Sequence, residues 1–375
     1  MTTITDSGAA PAPAAAGLGI LGLDHVEFYV ANPQLAAHFY RSTFGLVPTG
    51  YAGLETGWRD RCSFIVRNGD VRFVVTGAIE RESPIAAHLH LHGDGVKDIA
   101  LAVVDVDVAF HEALRRGARP VEEPRTSADG DRTIRRASIA AFGDVVHSFV
   151  ERDAGEWFLP GFERIADDRP PQARSVTAID HLAVSLEPGR LAEQVAFYTN
   201  VLGFHESHEE YVTTDYTSMG SRVVESEDGR VRLPLLEPVL GSRRSQIEEY
   251  LHYHGEPGVQ HAALLSDDIL RTVANLRASG VDFLHTPATY YEMLLDRVGD
   301  LDEDLTTLRD LDILVDKDAW GYLMQIFSKP LQSRPTFFVE VIQRKGARGF
   351  GSGNIKALFE AVEREQMRRG TLARE

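Results

Sequence analysis

Three residues in the second half of the chain carry the clearest chemistry. His181 opens an apolar-rich run, Ile179-Asp180-His181-Leu182-Ala183-Val184. His261 sits in a matching run, Gly258-Val259-Gln260-His261-Ala262-Ala263. Glu340 lies among apolar neighbours in Thr336-Phe337-Phe338-Val339-Glu340-Val341-Ile342. A histidine in a strand is usually structural. A carboxylate amid Phe, Val and Ile is harder to place, because burying it unpaired costs several kcal/mol or shifts its pKa. A metal ion neutralises it. Two imidazoles and a carboxylate on one face leave open positions on an octahedral metal, the ligand set of non-haem Fe(II) oxygenases.

The elements that must position these residues are repeated along the chain. Residues 23–30 read Leu-Asp-His-Val-Glu-Phe-Tyr-Val, and residues 179–186 read Ile-Asp-His-Leu-Ala-Val-Ser-Leu. Each run leads to a helical stretch with Phe-Tyr (Phe39-Tyr40, Phe197-Tyr198) and then to a glycine turn at Gly45 or Gly203. Further on, Gly95-Val96-Lys97-Asp98-Ile99-Ala100 parallels Gly258–Ala263, and both lead into amphipathic helices. Stretches 63–75, 231–236, 322–327 and 336–342 have the apolar runs or alternation of strands. The reading is an α+β protein of two homologous halves, each with paired modules that begin strand, helix and then strands. Asp98 stands where the second half has His261, and no Glu strand is evident before the linker. One metal site is therefore expected, in the C-terminal half, with a structural N-terminal half. His88, His90 and His92 form a second cluster on a helix or turn, as do His252 and His254, and a structural role is expected there.

The expected boundaries are a disordered Ala/Pro-rich lead over 1–17, an N-terminal domain over 18–152, a polar linker over 153–177 and a catalytic domain over 178–375. Ile355, Leu358, Phe359 and Val362 fall on one helical face, which predicts a lid helix over 354–369. Gly349, Gly351 and Gly353 precede it as a hinge, and Ser352 or Asn354 is placed to cap it. The net charge of −17 disfavours nucleic acid and anionic membrane as partners. No apolar stretch approaches the length of a membrane span, and the start lacks a signal peptide's pattern. The single cysteine, Cys62, excludes an intramolecular disulfide and fits a reducing, cytoplasmic setting. It reads as a packed thiol within a strand.

The module order resembles the vicinal oxygen chelate superfamily, in which βαβββ modules pair into a curled, half-open β-barrel around a metal. The resemblance covers nearly all of the chain after residue 20. Phe338-Val339-Glu340-Val341-Ile342-Gln343-Arg344, Gly349-Phe350-Gly351-Ser352-Gly353-Asn354-Ile355-Lys356, Pro287-Ala288-Thr289-Tyr290-Tyr291 and Gly321–Phe327 are similar to the 4-hydroxyphenylpyruvate dioxygenase and 4-hydroxymandelate synthase family. That resemblance implies Fe(II), O2 and an aryl 2-oxo acid substrate, and a homo-oligomer, taken as a dimer. It also implies that Gln246, Gln260 and Gln325 orient the substrate, that Ser221 lies near it, and that Phe327 and Phe338 sandwich its ring. Asn354 is implied to belong to the substrate site. Two positions separate the branches. The dioxygenase pattern has Asn where this chain has Leu236, and Phe where it has Ile355, and both departures resemble the synthase. Thr214–Ser221 and Ser245–Tyr250 look more like the dioxygenase. A ring-cleaving extradiol dioxygenase or a non-catalytic binding module of the same fold are the alternatives from other classes.

Overall fold

The computed structural model describes residues 17–153, 157–166 and 176–373. Most of the expected disordered lead, and residues 154–156 and 167–175 of the expected linker, lie outside them.

The first half runs β1 (Ile20–Tyr29), α1 (Pro33–Phe44), β2 (Val47–Ala52), β3 (Arg61–Asn68), β4 (Val71–Ala78), α2 (Pro84–His92), β5 (Gly95–Val103), α3 (Val106–Arg115), β6 (Pro120–Asp129), β7 (Arg132–Phe142) and β8 (Val145–Arg152). A two-residue strand, β9 (Glu163–Arg164), follows. The second half repeats the order with β10 (Ala178–Ser185), α4 (Leu191–Phe197), β11 (His205–Thr213), β12 (Ser218–Glu225), β13 (Arg232–Val239), α5 (Gln246–His254), β14 (Gly258–Leu265) and α6 (Ile269–Ala278). Three short helices, α7 (Ala288–Glu292), α8 (Leu294–Val298) and α9 (Leu305–Asp310), then precede β15 (Leu314–Lys317), β16 (Tyr322–Phe327), β17 (Phe338–Lys345) and α10 (Ser352–Arg369).

Each half is one curled sheet. The strand orders are β6-β7-β8-β5-β1-β4-β3-β2-β9 and β11-β12-β13-β10-β14-β17-β16-β15. In both, the opening strands of the two modules pair antiparallel at the centre (β1 with β5, β10 with β14), and each module's first strand also pairs parallel with its last. This is the expected half-open barrel of paired βαβββ modules. The local chemistry repeats too. Asn32 caps α1 ahead of Pro33, a favoured first helical residue, and Gly45 ends it with φ 71°. Gly203, at φ 75°, does the same after a π-helical turn over Tyr198–Leu202.

Three expectations change. The strand matching Glu340's does exist in the first half: it is β8, which has Ser148 in place of the acid at the matching position. The stretch read as a linker contributes β9, which pairs with the edge strand β2. The final helix begins at Ser352 with Gly351 at its N-cap and no side-chain cap. Gly351 has φ 78°, and a Cβ there would lie 2.2 Å from Gln325 Oε1. The tight approach to β16 decides the helix start, so neither Ser352 nor Asn354 serves as the cap.

Candidate metal centre

His181, His261 and Glu340 come from the three adjacent central strands β10, β14 and β17. The register explains why they meet. Ala263 of β14 faces His181 on one side and Glu340 on the other, and His261 lies two residues earlier on the same face. His181 Nε2 is 3.2 Å from Glu340 Oε2, and His261 Nε2 is 3.5 Å from the same oxygen. One ligand atom from each lies within 4.8 Å of the others, and all three residues are buried.

The rear of each imidazole is engaged. His181 Nδ1 lies 2.9 Å from Asp180 Oδ1, and Arg344 grips that carboxylate with two bonds of 2.7 and 2.8 Å. His261 Nδ1 is 3.2 Å from Gln260 Oε1, and its ring stacks on Phe338 at 4.8 Å. Asp180 and Gln260 thus fix each ring with its Nε2 turned to Glu340, the second-layer pattern of metal-binding histidines. Burial opposes a charge on His181, yet Glu340 and Asp180 outweigh it and raise its pKa to about 9. Burial pulls His261 down. Burial also opposes the Glu340 charge, but the two imidazoles hold its carboxyl below the usual range. The site is built for positive charge, and two imidazole nitrogens with one carboxylate oxygen suit a divalent transition metal.

The triad opens into a small cavity of about 50 Å³, partly open to solvent. Of the residues named from sequence, Ser221, Leu236, Gln246, Gln260, Gln325, Phe327 and Ile355 line it. Gln325 Oε1 is buried without a partner. Two named residues are not on the wall. Phe338 sits behind His261 and meets Phe327 edge-on, at 6.3 Å and 76°, so the two rings do not form a parallel slot. Asn354 is fully buried and turns its Oδ1 to Tyr290 Oη (2.6 Å) and Arg297 (3.2 Å), anchoring the final helix. Sequence reasoning missed six wall residues: His208, Glu210, Met219, Val223, Pro234 and Phe350. The alternation of β11 was the available signal for His208 and Glu210.

Residues 178–322 and 24–134 each match the Glyoxalase/Bleomycin resistance protein/Dioxygenase superfamily. The 4-hydroxyphenylpyruvate dioxygenase of Aspergillus fumigatus is 42% identical over 94% of this chain and 94% of its own. That of Danio rerio is 39% identical over 99% of this chain and 96% of its own. A triple-substitution variant of 4-hydroxymandelate synthase from Streptomyces coelicolor superimposes with a TM-score of 0.83 at 36% identity, covering 93% of this chain and 99% of that one. The chain belongs to the 4-hydroxyphenylpyruvate dioxygenase and 4-hydroxymandelate synthase family.

In this family member the first half keeps the frame of the site without its ligands. By register, His25 faces Ala100, Asp98 stands two residues earlier, and the position matching Glu340 is Ser148. Asp24 contacts His25 Nδ1 at 2.5 Å, as Asp180 contacts His181. Arg152 grips Asp24 as Arg344 grips Asp180. Trp157 stands edge-on to His25 as Phe350 does to His181. Where a metal would sit, Asp98 instead accepts from Ser148 and from the Arg136 guanidinium at 2.9 Å. A fixed cation fills the place. The second histidine cluster behaves alike. His88 and His92 converge with Asp144, but Lys97 Nζ already lies 3.0 Å from that carboxylate. His90 is not part of the group. Cys62 is half-buried, and burial pushes its thiol pKa up, the setting of an unreactive cysteine.

Proposed function

We propose that the protein is an Fe(II)-dependent oxygenase that converts 4-hydroxyphenylpyruvate and O2 to 4-hydroxymandelate and CO2. His181, His261 and Glu340 would hold the iron, which when bound supplies O2 activation coupled to loss of the substrate's own carboxyl group. One oxygen atom ends in the new carboxylate and the other in the benzylic hydroxyl, so no separate reductant is consumed. The chain's own residues bind and orient. Gln260 and Gln325 offer amides beside the triad for the polar end of the oxo acid. Phe327 offers a ring to the aryl group, a contact that contributes about 1 kcal/mol. Helix α10 covers the cavity and excludes water.

The observation that carries the choice of product is that Leu236 and Ile355 both line the cavity and pack in one apolar cluster, whose other members include Met219 and Phe359. Leu236 gives the substrate no hydrogen bond. Ile355 is smaller than the Phe of the dioxygenase pattern and leaves the ring room to turn. A shift of about 1 Å in a reacting group changes rates roughly a hundredfold, enough to present the benzylic C–H in place of a ring carbon. The second reading is homogentisate formation. It is favoured by relatives named 4-hydroxyphenylpyruvate dioxygenase at 38–42% identity and by the Ser245–Tyr250 string.

The test is turnover of the Fe(II)-loaded protein with 4-hydroxyphenylpyruvate and O2, with products separated and weighed by mass spectrometry. The expected product is 4-hydroxymandelate. Homogentisate alone refutes the benzylic outcome, and no turnover refutes the substrate.

A further inference from the structure

The cavity wall carries a second acid besides Glu340. Glu210 stands on β11 two residues after His208, and both line the cavity that holds the triad. The strand alternates, so that Glu209 and Tyr211 face solvent. The register sets Glu210 opposite Ser221, and Ser221 opposite Leu236. These residues form one rung across the cavity wall, running from an apolar side chain through a hydroxyl to a carboxylate.

Glu210 Oε2 is buried with no donor on it, although the Ser352 hydroxyl reaches the carboxyl, and burial pushes the group above the usual carboxylate range. Its one ion-pair neighbour among the described residues is His208, at 4.0 Å. That imidazole is committed elsewhere, because its Nε2 lies 3.1 Å from Ser352 Oγ at the start of α10. A buried carboxylate oxygen without a donor is costly, and the cost is relieved when a ligand brings the donor. An aryl 2-oxo acid with its oxo acid end at the triad must send its ring toward another part of the wall. Ser221 is a weaker acceptor on the same rung, and Leu236 is none.

The geometry points to Glu210 as the acceptor for the ring hydroxyl of the substrate, which makes it a specificity-determining residue for phenolic over unsubstituted aryl 2-oxo acids. The inference rests on the oxo acid reading of the cavity. A hydrogen bond from a phenol to a carboxylate is charge-assisted and stronger than one to a neutral acceptor. A site built around it discriminates against a ring that lacks the hydroxyl. Through His208 and Ser352 the same corner touches the start of α10, so ring recognition and closure of the cavity meet at one place.

The test compares Glu210→Val and Glu210→Gln with the unmodified Fe(II)-loaded protein. Dissociation constants are measured by calorimetry under nitrogen for 4-hydroxyphenylpyruvate, phenylpyruvate and 4-aminophenylpyruvate, and KM and kcat are measured in air. The unmodified protein is expected to prefer the hydroxylated ring. In Glu210→Val that preference should fall roughly ten- to a hundredfold, mostly in Kd and KM. Glu210→Gln, which keeps a neutral acceptor, should fall between the two. An unchanged preference in both variants overturns the assignment, as does an equal weakening for hydroxylated and unsubstituted rings. Tighter binding of the amino ring than of the hydroxyl ring overturns the hydroxyl as the partner. If the unmodified protein binds none of the three acids, the oxo acid reading itself fails. Binding that ignores Glu210 fails only the inference.

Discussion

His181 and His261 can serve as ligands because their Nδ1 atoms face Asp180 and Gln260. Replacing His261 or Glu340 by Ala should abolish stoichiometric Fe(II) binding, measured by calorimetry on anaerobic protein, while circular dichroism stays native. Retained stoichiometric binding in either variant would remove the triad. Arg344 acts one step further out, through Asp180. Arg344→Met should weaken metal binding about 10- to 100-fold without abolishing it. Affinity equal to that of the unmodified protein would show that Asp180 holds the ring unaided. At this scale the convergence of His181, His261 and Glu340 was legible in the sequence, because two histidines at matching repeat positions and a Glu in an apolar strand are local facts. Phe338 and Asn354 were misplaced, because which way a side chain turns depends on partners distant in the chain. For Asn354 these are Tyr290 and Arg297.

Helix α10 is an anchored cover rather than a free flap. Leu358 and Phe359 are buried, and Glu363 accepts hydrogen bonds from Thr214 and Thr217 at 2.5 Å. Arg369 pairs with Glu249 at 2.7 Å. Its entrance is tied to the metal centre, since Arg344 Nη1 donates to Gly349 O at 2.6 Å. Removing residues 350–375 would therefore uncover two apolar clusters and lower the melting temperature as well as end turnover. A gentler probe is Gly351→Ala. The new Cβ meets Gln325 and the residue is held at positive φ, a conformation that costs a non-glycine residue about 1–2 kcal/mol. Turnover should fall several-fold while Fe(II) affinity holds; unchanged kcat and KM would mean that the helix entrance does not set the cavity wall. The helix was visible from its apolar face, but its start was not, because the close approach of β16 fixes it.

The two halves are one design used twice, with a candidate metal centre in one and a salt-bridged plug in the other. The paired Asp24–Arg152 and Asp180–Arg344 contacts make the comparison sharp. Arg152→Met should destabilise the fold, on the order of 3–5 kcal/mol for a buried pair broken on one side, yet leave Fe(II) affinity unchanged. A loss of metal binding would show the halves to be coupled at their centres. Asp24 also predicts a pH dependence. Burial opposes its charge, but His25 and Arg152 outweigh it and hold its carboxyl well below the usual carboxylate range. Its stabilising contribution is complete above the unfolded value of about 3.9, and is lost as pH falls through the depressed folded value. Arg152→Met should move the acid-unfolding midpoint to higher pH; an unmoved midpoint would exclude Asp24 from acid stability. The repeat made the fold legible, down to the half in which two histidines and a glutamate converge. What it concealed was the return of Trp157 and Phe158 from the linker to the first half, where Trp157 stands beside His25. No repeat pattern marks that contact.

In the proposed reaction Leu236 and Ile355, which are not among the three candidate metal ligands, choose the bond that is oxidised. The most direct measurement is the product ratio from 4-hydroxyphenylpyruvate in the unmodified protein and in the Leu236→Asn, Ile355→Phe double variant, both loaded with Fe(II) and supplied with O2. The account predicts 4-hydroxymandelate from the first and a rise in homogentisate from the second. Homogentisate as the main product of the unmodified protein would contradict it.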